Sequence, residues 1–178
     1  MFLSIDNLLQ KVAYIMADQE KKTFDIIFEG TGTSTGKMRN DIKVDFTTMG
    51  ESFELATDEG PIHGGDGTAP PPLALFTAAL TGCIMPQIRA FSKRLKVPVG
   101  QVKVNAKLHW RGEQIGRDPY TTAPVGFDLD IDFDSAASKN DQMRLLEAAK
   151  KGCFIETTLM QGLAVGHRLQ IDGDWHDA

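Results

Sequence analysis

Two cysteines in 178 residues set the first question about this chain's chemistry. Cys83 lies inside an apolar run from Leu73 to Met85 that only Thr77, Thr81 and Gly82 interrupt. Cys153 follows Gly152 and opens the segment CFIETTLM, where the unpaired amides of a new helical turn favour a thiolate. Thiol chemistry needs that anion, and a free cysteine of pKa about 8.5 is only a few per cent ionised at neutral pH. The plainer alternative is that both thiols are small core hydrophobes. Metal chemistry is not expected, because two cysteines and four scattered histidines lack the short ligand spacings of a zinc site. His63 reads as a solvated loop residue. His167 shares strand parity with Val165, Leu169 and Ile171 and reads as a satisfied inward histidine. No cofactor is implied.

The elements that must position the cysteines follow from periodicity. Pro70 to Leu95 reads as the organising helix, buried on all sides, with cations near its C-terminal end and a kink at Pro86. Met1 to Lys22 carries apolar residues at helical spacing and reads as an N-terminal amphipathic helix. From Thr23 the period changes to two. Phe24, Ile26 and Phe28 form a first strand, GTGTSTGK a turn, Ile42 to Phe46 a second strand, and Phe53 with Leu55 a third. Gly60 to Pro72 is a loop by composition. Val102 to Trp110 alternates apolar residues with Lys103 and Lys107, and Val125 to Phe133 alternates them with Asp128, Asp130, Asp132 and Asp134. Antiparallel pairing sets lysine against aspartate, worth about 0.2–1 kcal/mol per pair. Calcium would need its ligands curled round one point, which a strand does not do. A helix from Asp141 to Lys151, capped by Ser138 or Asn140, is interrupted by Gly152 and resumes to Gln161. A last strand, Leu163 to Ile171, precedes a polar tail. The class is α+β with mainly antiparallel sheet.

Composition narrows the partners. A formal net charge of -5 without a basic cluster argues against nucleic acid. No run reaches membrane-spanning length, so no membrane partner is expected. Met1 to Ala17 carries Asp6 and no basic start, so it does not read as a signal peptide. With two cysteines, the expected compartment is a reducing cytoplasm.

Gly64-Gly65-Asp66, then Pro72, Leu75, Ala78-Ala79-Leu80 and Gly82-Cys83, then Cys153 with Thr158-Leu159, together resemble the OsmC/Ohr family of thiol-dependent hydroperoxide reductases. The likeness covers residues 23–173 as one OsmC-like domain, with 1–22 outside it and 174–178 a polar tail. It implies antiparallel sheets wrapped around buried central helices in an intertwined homodimer. It also implies organic hydroperoxide as substrate and an external dithiol as reductant. Cys83 takes the peroxidatic position and Cys153 the resolving one. The family activates its first cysteine with an arginine from the first strand pair, held by a glutamate nine or ten positions before that cysteine. Arg39 occupies the arginine's place, with Lys37 second, but Ala74 and Leu73 stand where the glutamate belongs. Glu156, one turn beyond Cys153, offers a carboxylate from another direction. The other functional class is a non-catalytic dimer of this fold that binds a small hydrophobic molecule at its interface.

Overall fold

A computed structural model describes residues 21–178, so the expected N-terminal helix lies outside the described residues. The chain divides into two compact units, Met1–Ala69 and Pro70–Ala178.

In the first unit, β1 (Phe28–Ser34), β2 (Asn40–Phe46) and β3 (Glu51–Thr57) form an antiparallel sheet in that order. Alternation places Phe28, Ile42, Val44, Phe46, Phe53 and Leu55 on one face and charged residues on the other. Phe28 and Phe46 stack at 4.3 Å. The first strand begins and ends later than its sequence suggests. Phe24 and Ile26 precede it, and GTGTS, read as a turn, is strand that sets Gly30 and Gly32 opposite Val44 and Ile42. Ladder pairing with a strongly patterned partner overrides the weak strand preference of two glycines.

In the second unit, α1 (Pro72–Leu95) starts with proline at its first position, where a missing N–H costs nothing. Pro86 lies inside it, and the helix continues to Leu95. At 24 residues and a mean hydropathy of 1.3 over its most apolar window, it is long and apolar enough to cross a membrane, contrary to the expectation from the apolar run alone. It packs instead into a core through Leu80, Ile84 and Ile88. It is not buried on all sides either, since Leu73, Ala78, Ala79 and Gly82 are exposed.

A hairpin of β4 (Val102–Glu113) and β5 (Thr121–Phe133) follows. Lys103 pairs in register with Asp132 and Lys107 with Asp128, as the alternation predicts. The register shifts between His109 and Trp110, leaving Val125 exposed rather than inward. The opposite face sets Trp110 and Phe127 against Phe76 of α1, with ring centroids 4.8–6.1 Å apart. Next come α2 (Lys139–Gly152), α3 (Phe154–Gln161), β6 (Arg168–Ile171) and β7 (Asp174–Asp177). Ser138 caps α2 by accepting from the Asp141 amide at 3.2 Å. The expected final strand is shorter than its sequence range, and most of the expected polar tail is strand β7, paired with β6.

Candidate active site

Cys83 and Cys153 meet in the second unit. On α1, Leu80, Ile84 and Ile88 recur every four residues and form one buried ridge. Leu145, Ala149 and Cys153 recur in the same way along α2 and just past its end, and are likewise fully buried. Ile84 and Ile88 of the first ridge join the second in one cluster, and Cys83, half-buried beside Ile84, packs against it. Burying side chains such as Ile84, Ile88 and Leu145 contributes about 1.5–3 kcal/mol each. The spacing that builds the core therefore also sets where the cysteines lie.

Gly152 permits the approach. It ends α2, and a Cβ built there would stand 2.6 Å from Phe91 Cε2 and 2.7 Å from Cζ on α1. Cys153 then leaves the helical region, with φ -79° and ψ 109°, and becomes the N-cap of α3. Its carbonyl accepts from the Thr157 amide at 2.9 Å. Both cysteines are free thiols. The two thiols lie close enough for Cys83 to act on the Cys153 thiol. Burial pushes the Cys153 thiol up to about 11, and proximity to Cys83 and the Glu156 carboxylate pushes in the same direction. The side chain makes no full capping hydrogen bond, yet the Glu156 amide lies close enough to favour the thiolate. Desolvation wins. The expected N-terminal stabilisation exists but is the smaller effect, so Cys153 is a protonated thiol at neutral pH.

Glu156 faces a pocket of about 460 Å³ walled by Leu80, Phe127, Leu129 and Leu159. Among the described residues, Glu156 and Lys150 are its only charged lining groups. Burial raises the Glu156 carboxyl above the usual range, with Lys150 opposing the shift and Glu147 adding to it. Leu80 precedes Cys83 by about one turn and Glu156 follows Cys153 by one, so the pocket lies along both thiol-bearing elements.

Arg39 belongs to the first unit and does not lack a holder. Its Nε and Nη2 donate to Asp41 Oδ1 at 3.0 and 2.8 Å, and its Nη1 donates to Thr68 Oγ1 at 2.9 Å. Lys37 pairs with Asp66 at 2.7 Å. Sequence reading missed the residue beneath this network. Asp58 is 2% exposed, and its Oδ2 accepts from the Thr68 amide at 2.9 Å and the Thr68 hydroxyl at 2.8 Å. Its Oδ1 makes no hydrogen bond of ordinary length, although the Glu59 and Asp66 amides face the carboxylate. Hydrogen bonding from the Thr68 amide is the largest influence holding its pKa below the usual range. Gly65 completes the loop, because a Cβ there would fall 1.8 Å from the Glu59 carbonyl oxygen. The only advance signal for Asp58 was an acid at the mouth of a glycine-rich loop.

Comparison with known proteins places the fold among those of one family. The family model described as OsmC-like protein matches residues 65–168. An OsmC-like hydroperoxide resistance protein from Jannaschia sp. CCS1 is 45% identical, with a TM-score of 0.60 over 86% of this chain and 98% of that one. Two more distant structures share the fold. One is an organic hydroperoxide resistance protein from Elizabethkingia anophelis, 21% identical, TM-score 0.53, covering 78% of this chain and 91% of that one. The other, from Legionella pneumophila, is 18% identical with a TM-score of 0.52, again over 78% of this chain and 91% of that one. No curated protein matches the chain.

Proposed function

Because the chain belongs to the OsmC-like protein family, we propose that it reduces organic hydroperoxides with its two cysteines. The observation that carries this reading is the meeting of two free thiols from separate elements, one half-exposed and one fully buried. The Cys83 thiolate attacks the terminal peroxide oxygen. The O–O bond breaks, the alcohol leaves with a proton, and Cys83 becomes a sulfenic acid. Cys153 then displaces that oxygen as water to give a disulfide, which an external dithiol reduces. Arg39 is assigned the positive charge that favours the first thiolate, so Arg39→Ala slows the first step. The apolar walls of the pocket suit organic rather than hydrogen peroxide. The exposed sheet face that includes Phe28, Phe53 and Leu55, with the exposed flank of α1, supports a homodimer. The proposed location is the cytoplasm, where dithiol reductants are maintained.

The test is thiol titration before and after a small excess of cumene hydroperoxide. Rapid loss of two thiols per chain is expected, with Cys153→Ser leaving a sulfenic acid that dimedone traps. A Cys83→Ser protein consuming peroxide at the parent rate would defeat the reading. Thiols lost only at a free-cysteine rate would favour the non-catalytic alternative, in which the apolar pocket holds a small hydrophobic ligand.

A further inference from the structure

The geometry points to Glu156 as the proton acceptor that activates Cys153 for closing the disulfide, a role that rests on the two-cysteine reading above. Cys153 is the N-cap of α3 and Glu156 its third residue, so their side chains leave the same first turn on one face. Cys153 is fully buried against Cys83 and has no solvent to take its proton. With its pKa pushed up to about 11, the thiol stays protonated at pH 7. The Glu156 carboxylate lines the adjoining pocket, near enough for its charge to act on the Cys153 sulfur. Desolvation raises its own pKa, which moves it toward the range where a base works at neutral pH.

The groups facing this pair come from every packed element. Lys150 and Glu147 of α2 are joined at 3.0 Å, and Cys83 comes from α1. The inward residues of β5, Phe127 and Leu129, carry no charge, and the strand's aspartates occupy its other face. Among the described residues, Glu156 is therefore the one carboxylate lining the pocket beside the thiols.

The step balances without a further reactant. Glu156 takes the Cys153 proton. The Cys153 sulfur attacks the Cys83 sulfur, the S–S bond forms and the S–O bond breaks. The departing hydroxide recovers the proton from Glu156 and leaves as water. One sulfur is oxidised by one electron and the other reduced by one, so no outside oxidant enters.

The experiment uses the full chain and a rapid pulse of cumene hydroperoxide, following Cys83 sulfenic acid by dimedone trapping and its decay to disulfide by mass spectrometry. Glu156→Gln is expected to lengthen the sulfenic acid lifetime about 10²-fold at pH 7, the low end of general-base effects. The deficit should shrink as pH approaches 11, and Glu156→Asp should restore part of the rate. Charge alone predicts the opposite sign, because removing Glu156's negative charge lowers the Cys153 pKa and speeds closure. A Glu156→Gln protein that closes its disulfide as fast as the parent, or faster, overturns the inference and leaves the two-cysteine reading standing. A parent that forms no Cys83 sulfenic acid overturns both.

Discussion

Gly152→Ala isolates the packing that brings the thiols together. The added methyl would lie 2.6 Å from Phe91 Cε2 and 3.3 Å from Gln87 Oε1, where ordinary contact begins at 3.4 Å. About 0.8 Å must therefore open between the end of α2 and α1. The Phe91 ring edge is the softer side, but it is partly buried against the core, and Arg94 sits 5.6 Å over its ring. Overpacking of this kind costs about 1–3 kcal/mol. Replacing glycine by alanine in a helix returns at most about 1 kcal/mol, and less at the last residue. The clash wins, with a net loss of about 1–2 kcal/mol, or a fall of several degrees in Tm for a chain of this size. Cys153 is the next residue, and a misplacement near 1 Å can cost about 10²-fold in rate. Scanning calorimetry and the lifetime of the Cys83 sulfenic acid measure the two effects. Phe91→Leu, which clears the ring, should recover much of both in the double variant. A Gly152→Ala protein with unchanged Tm and parental disulfide formation would refute the claim that this glycine sets the approach.

Cys153 should resist iodoacetamide until pH nears 11, and folded stability should fall as pH rises from about 9 to about 11, because the folded state holds that proton more tightly. Differential alkylation with mass spectrometry checks the first effect, and Cys153→Ser should flatten the second. Asp58 has the reverse sign. Its pKa lies below the usual value, so its contribution is present above the unfolded carboxylate pKa of about 3.9 and is lost as pH falls through the folded one. Asp58→Asn should therefore speed amide exchange at Thr68 at pH 7 and leave less further change on acidification, read by hydrogen exchange. Phe53→Glu with Leu55→Glu should split the proposed homodimer in sedimentation. A double variant that stays dimeric would remove the sheet face from the interface.

The sequence determined the helices and most strands because periodicity is a local property. The helix that follows the proline cluster, the alternation of lysines and aspartates on β4 and β5, and the glycine ending α2 all held in the fold. It also placed the chain in its family through the loop and both cysteine segments, since each motif stands on contiguous residues. Asp172-Gly173 was legible but overlooked. Both residues have positive φ, the two-residue turn that such a pair favours, and it folds the supposed tail back as β7. Tertiary structure alone decided the rest. Gly30 and Gly32 became strand only because β2 pairs with them. Thr68 came to hold Arg39, and Asp58 became a buried anchor, through hydrogen bonds spanning 29 and 10 positions. The Cys153 pKa was the least legible of all. The amide at the helix start can be read from sequence and points toward thiolate. Desolvation depends on α1 and α2 closing over the sulfur, and that larger force keeps it protonated.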